Sequence, residues 1–162
     1  MSLVAVAHEA GTTRQALYRR WPTKADLATA AIAAMSRSSE RQPSDDPFAD
    51  LVSELEAFHA GISRPDGVPM AGTMLVGSTD PQLVAFYRER VVRPRRARLR
   101  AILQRARDAG LLGDDPDVDT AVSMVTGSWY ARALAGDPPP RRWAERVATL
   151  IWRALGGNVP VP

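Results

Sequence analysis

Cysteine is missing altogether, so no disulfide staples the chain and no thiolate can hold a metal, while the redox compartment is left open. Histidine occurs only twice, as His8 and His59, far apart in the sequence. There is no H-x-x-x-H or G-x-S-x-G motif, so neither a metal set nor a nucleophile–base pair can be assembled. We therefore expect no enzyme, no cofactor and no metal. No apolar run approaches the ~18 residues of a membrane helix, and no signal peptide is visible. These two absences point to a soluble, cytoplasmic protein with no membrane partner. Internal repeats and the period-2 alternation of strands are absent too, which leaves helices as the building material.

What is present is concentrated near the start. Val6 to Leu27 reads as a short helix, a glycine turn, a second short helix and the capped start of a third. Gly11 can adopt positive φ and end the first helix, and Thr13 can N-cap the second after Thr12 completes the turn. Along the second helix, the 100° spacing gathers Arg14, Gln15, Tyr18 and Arg19 on one arc. Leu17, flanked by Trp21, falls opposite and should pack inward against Val6 and Ala10. Pro22 stops that helix, and Thr23-Lys24-Ala25-Asp26 forms a capping-box-like start for the next. The outward set suits the major groove of DNA. Arginine can fork onto guanine, glutamine can bridge adenine, and Tyr18, Thr12, Thr13 and Lys24 can reach phosphates. Charge agrees with this reading. Up to Gln42, Arg14, Arg19, Arg20, Lys24, Arg37 and Arg41 stand against only Glu9, Asp26 and Glu40, so the whole formal charge of +3 lies in the first quarter of the chain.

These residues carry a resemblance. The string VAHEAGTTRQALYRRWPTKADL resembles the helix-turn-helix of the TetR/AcrR family of bacterial repressors, whose pattern is Ile-Ala-x-x-Ala-Gly-Val-Ser-x-x-x-Leu-Tyr-x-x-Phe-x-Ser-Lys-x-x-Leu. Val6, Thr12, Thr13, Trp21 and Thr23 are mild replacements. The resemblance implies that Thr13 and Tyr18 touch phosphates, that Lys24 contacts the backbone, and that Arg14 and Gln15 lie nearest the bases. It also implies a homodimer on a double-stranded operator, released by a small effector. The family has another helix ahead of this motif, and here there is no room for it before Leu3. The alternative reading is therefore a ligand-binding and dimerisation module that does not bind DNA.

Beyond the motif, the spacing predicts an all-α architecture: residues 1–42 as a partial DNA-binding domain with a connecting helix, and 45–156 as a TetR-type helical bundle for ligand binding and dimerisation. The connecting helix runs from Thr23 to about Arg41, with Leu27, Ile32 and Met35 inward. Asp46-Pro47 opens a helix whose Leu51, Leu55, Phe58 and Ile62 have helical period. A loop at 64–69 and a weak segment at 70–76 precede the longest helix. That helix runs from Pro81 to about Ala109, with Leu83, Phe86, Leu99, Ile102, Leu103 and Ala106 along one stripe and a kink at Pro94. Two more helices follow, from Asp117 to Ala135 and from the prolines at 138–140 to Leu155, with a frayed tail from Gly156.

Three further expectations follow. His59, Met70, Met74, Phe86, Tyr87 and Trp129 are candidates to line a pocket for a small, mostly apolar effector. The last two helices each show two apolar faces, so Met124, Ser128, Ala131, Ala144, Ala148 and Trp152 are candidates for a two-fold interface, a reading preferred to an interior face of the monomer. The arginine run from Arg88 to Arg107 is interrupted by Glu89 and shares a helix with an apolar stripe, so it reads as a solvated face and not as a second nucleic-acid site.

Overall fold

The computed structural model describes residues 3–23, 26–27, 29–31, 42–64 and 81–158, and every element among them is helical. In chain order these are α1 (Leu3–Glu9), α2 (Arg14–Arg20), α3 (Pro47–Ile62), α4 (Pro81–Tyr87), a π-helical turn (Arg88–Val92), α5 (Arg93–Asp108), α6 (Val118–Ala135) and α7 (Trp143–Ala154). They fall into two compact units. One comprises residues 1–40 and 73–92, the other residues 41–72 and 93–162.

The second unit holds the larger core. Its first helix starts where the sequence places it: Asp46 accepts hydrogen bonds from the N–H groups of Phe48 and Ala49, and Pro47 occupies the first turn. Leu51, Leu55, Phe58 and Ile62 are all buried, and they pack with Leu99, Ile102, Leu103 and Ala106 of α5. Helix α3 lies against both α5 and α7, while α6 closes on α5 and α7. Around Phe58 the core is aromatic. Trp129, Tyr130 and Trp143 have ring centroids 5.8–6.1 Å from it, and the Arg95 guanidinium sits 4.9 Å above its ring.

Ion pairs tie α5 to its neighbours. Arg98 forks onto the buried Glu54 through Nε and a terminal nitrogen at 3.1 and 2.8 Å, Arg105 pairs with Asp50, and Arg100 pairs with Asp119. Arg96 donates to the Ser123 hydroxyl and Arg107 pairs with Asp108. Five arginines of the run thus have partners on the unit itself, in keeping with a structural face.

Asp50 also accepts from the Ser44 hydroxyl at 2.8 Å. Burial pushes this carboxyl up, but hydrogen bonds from Ser44 and Arg105, with the arginine's charge, hold it below the ordinary aspartate range. Because the carboxyl is more acidic folded than unfolded, its contribution to stability is complete above the unfolded value of about 3.9. The contribution is lost as pH falls through the lowered folded value. Urea midpoints measured from pH 6 down to pH 3 should therefore fall less steeply at the acid end for Asp50→Asn than for wild type. Parallel profiles would remove Asp50 from the acid response.

Two differences from the sequence expectation concern the ends of helices. The long helix from Pro81 does not carry one stripe. Val84, Tyr87 and Val91 are buried before Arg93, with Leu83 and Phe86 only half-buried. Residues 81–92 serve the first unit and α5 the second, so a single periodicity cannot describe both. The change falls at the π turn, directly before Pro94. That proline has no N–H to give and its ring crowds the carbonyl four residues back, within the turn that widens. The tail also differs. Far from fraying, Gly156 to Asn158 is tied down: Gly113 N–H donates to Leu155 O at 2.8 Å, and the Trp152 indole donates to Asn158 O at 3.1 Å.

Gly157 is buried there, and a β-carbon added to it would stand 2.5 Å from the Trp152 indole and 2.9 Å from Leu111 O. Both neighbours are fixed, so Gly157→Ala should destabilise the protein by about 1–3 kcal/mol, as overpacking does. A thermal midpoint equal to wild type would show that the tail does not pack this way. Residues 32–41, the segment at 70–76 and the final prolines lie outside the described residues.

Candidate nucleic-acid interface

The N-terminal motif is built as its sequence directs. Gly11 has φ +60°, and the chain closes α1 by two reversed bonds: Thr12 N–H to Ala7 O at 2.9 Å and Gly11 N–H to His8 O at 3.1 Å. The left-handed turn lets α2 start three residues later, at Arg14. Thr13 caps it, its hydroxyl oxygen accepting from Ala16 N–H at 3.1 Å. Leu17 is buried, as expected, and on α1 the buried residue among those described is Ala7. Ala10 is exposed because it already belongs to the turn, while Val6 and Trp21 are half-buried. After Pro22 the capping box forms in full. Thr23 N–H and hydroxyl donate to Asp26 at 3.0 and 2.7 Å, and Asp26 N–H returns to the Thr23 hydroxyl at 3.1 Å.

Arg14, Gln15, Tyr18 and Arg19 are all exposed on α2, and Thr12 and Thr13 are exposed at its start. Lys24 lies outside the described residues. Arg14 reaches along one helical turn to Tyr18, donating to its hydroxyl at 3.4 Å with its guanidinium carbon 5.2 Å from the ring centroid. Arg20, which the sequence reading left aside, is exposed with its guanidinium carbon 5.2 Å from the Trp21 ring centroid. Among the described residues, no carboxylate pairs with Arg14, Arg19 or Arg20. The contrast with α5, where five arginines are engaged within the unit, is plain.

The residues expected to line a pocket are brought together only in part. Trp129 donates its indole N–H to His59 Nδ1 at 3.1 Å, and the Ser63 hydroxyl lies 3.3 Å from the same nitrogen. An indole can only donate, so Nδ1 is the acceptor and the neutral ring carries its proton on Nε2. Trp143, missed at first, packs its ring 5.9 Å from that of His59, and its buried N–H has no hydrogen-bond partner among the described residues. Phe86 and Tyr87 belong to the other unit, and Met70 and Met74 lie outside the described residues.

The residues expected at a two-fold interface divide. Ala144, Ala148 and Trp152 are inside the monomer's own core, Ala148 at 0% exposure, so they do not present a surface. Positions 143, 144, 147, 148, 151, 152 and 155 form one broad arc of α7, which the sequence reading had split into two faces. A glutamate at Ala148 would accordingly break the core and not report on a dimer. Met124 and Ala131 are exposed, and Ser128 is half-buried with its hydroxyl turned to Val125 O. Leu134, which the sequence reading did not name, and Leu150, which it set on an apolar face of the last helix, are the most exposed large apolar side chains among the described residues, at 89% and 66%. Their signal was legible. Leu134 extends the Met124–Gly127–Ala131 row by one turn, and Leu150 stands between Arg146 and Arg153.

An exposed polar and basic helix, set one glycine turn after another short helix and followed by an all-helical bundle, defines a helix-turn-helix transcriptional regulator. The comparisons with known proteins name its family. Residues 1–31 match the model of bacterial regulatory proteins of the tetR family, and residues 41–151 match the tetracyclin repressor-like C-terminal domain, so the chain belongs to the TetR family. The uncharacterized HTH-type transcriptional regulator YdeS of Bacillus subtilis strain 168 is 23% identical over 132 residues, covering 80% of this chain and 66% of that protein. Rv1556 of Mycobacterium tuberculosis H37Rv, also an uncharacterized HTH-type regulator, is 25% identical over 140 residues, 86% of this chain and 69% of that protein. The chain thus spans about two thirds of the length of these curated relatives. The crystal structure of the TetR family transcription regulator SCO0332 superposes with a TM-score of 0.67 at 27% identity, over 98% of this chain and 87% of that one. Among the described residues, no helix is long and apolar enough to cross a membrane.

Proposed function

We propose that this chain acts in the cytoplasm as a homodimeric repressor. It lays α2 in the major groove of an operator and leaves the DNA when a small, mostly apolar effector enters the bundle of the second unit. The observation that carries the DNA reading is the exposed α2 face, whose arginines no described carboxylate neutralises. Phosphates supply the missing counter-charge, and base edges suit the forked and bidentate side chains. In the dimer, two copies of α2 would stand ~34–36 Å apart, one turn of duplex.

The effector reading rests on the aromatic cluster. A half-buried His59 with its proton on Nε2 and a Trp143 N–H without a partner among the described residues are two donors in an apolar setting, and a ligand with an acceptor group would satisfy them. Such a ligand must favour the conformation whose recognition helices are wrongly spaced, since equal affinity for both would shift nothing.

The test is a titration of the full chain on the DNA upstream of its own gene between 50 and 200 mM salt. Log affinity should fall linearly with log salt, with a slope of about one per phosphate contacted. No binding at the lowest salt would overturn the repressor reading and leave a ligand-binding and dimerisation module.

A further inference from the structure

The geometry points to Arg14 as the residue that selects a guanine in each half-site, with Tyr18 as the positioning residue that presets it; this rests on the DNA-binding reading above. Four polar side chains share the exposed arc of α2, and of these only Arg14 and Tyr18 are held to one another. It lies over the Tyr18 ring and donates one N–H to the phenol oxygen. A long arginine normally loses much rotamer freedom when it docks. One already laid along a tyrosine loses less, and its planar fork keeps further N–H groups for a partner. Guanine offers the matching pair of acceptors, O6 and N7, on one edge in the major groove.

The phenol adds a second link. Its oxygen accepts from Arg14, so its own hydrogen remains free to donate to a phosphate oxygen. Backbone contact and base selection are then coupled through one hydroxyl. Among the described residues, Gln15 and Arg19 share the arc without such a brace.

Selection of bound sequences from a random duplex pool by the full chain tests this, with thermal melts of each variant to confirm folding. Wild type should fix a guanine in both half-sites. Arg14→Ala should relax that one position by about 10- to 100-fold in relative affinity. Arg14→Lys keeps the charge but not the fork, so it should lose the preference while retaining salt-dependent binding. Tyr18→Phe keeps the ring and removes the oxygen, and Tyr18→Ala removes both. The guanine preference should shrink in the first and shrink further in the second, beyond any loss common to all sequences. A tyrosine variant that binds every sequence more weakly with the guanine ratio unchanged would overturn the positioning role. An Arg14→Ala or Arg14→Lys selection that keeps the same guanine would overturn the assignment of Arg14. If wild type captures no DNA at low salt, the DNA-binding reading falls and takes the pair with it.

Discussion

Replacing Arg98 by methionine should destabilise the protein by about 3 kcal/mol, the lower end of the range for a broken buried ion pair. Glu54 is 5% exposed, on the face of α3 that carries Leu51, Leu55 and Phe58. Among the described residues its carboxylate meets only the Arg98 fork, at 2.8 and 3.1 Å. Without the arginine, a carboxylate is stranded in the core and must be either desolvated or protonated. The lower end applies because 28% of the Arg98 side chain remains in solvent, where water screens part of the pair. Replacing both partners, as Glu54→Met with Arg98→Met, removes the stranded charge and should recover most of the loss. Urea unfolding with an unchanged slope reads both results. A single variant within about 1 kcal/mol of wild type would mean that the pair is solvated in solution.

The N-terminal motif was legible because its signals are local. A glycine that must turn left-handed, a threonine that must cap and a capping box that bonds both ways each lie within six residues of their partners, and each formed. The second unit's core was also legible wherever one helix faces one core, as in α3. Legibility failed where the sequence does not say which neighbour a face meets. Helix α7 is apolar over so wide an arc that Ala144, Ala148 and Trp152 read as a second face, whereas all three turn into the same core. The stripe from Leu83 through Ala106 was read as one because nothing local says that a π turn divides it between two units. The tail from Gly156 looked frayed because it is short and rich in glycine and proline. What holds it is an indole N–H only six residues back in sequence, which Trp152 donates to Asn158 O at 3.1 Å. The effector residues were the least legible, since His59 and Trp129 meet across 70 positions of sequence and no periodicity announces such a pair.

Dissociation of the dimer should follow from a charge at Leu150. Met124, Leu134 and Leu150 expose 56%, 89% and 66% of their surface on the packed pair α6 and α7, with Ala131 exposed in the same row of α6 as Met124 and Leu134. Three large apolar side chains left in solvent on two adjoining helices are exposures from which a lone chain gains nothing. In the proposed homodimer a second copy would cover these side chains about a two-fold axis, so each substitution would enter the interface twice. Leu150→Glu and Leu150→Arg should both weaken the dimer by at least about 100-fold, since either charge must be buried without a prepared partner. The monomer should keep its fold, because Leu150 faces solvent. Glutamate even gains a local partner, with Arg146 and Arg153 one turn to either side on the same helix. Monomers lose the second half-site, so affinity for a two-site operator should fall by a further 10²- to 10⁴-fold, while binding to a single half-site changes little. Sedimentation equilibrium reads the first effect and DNA titration the second. If both charged variants sediment as the wild type does, the two copies meet on some other surface.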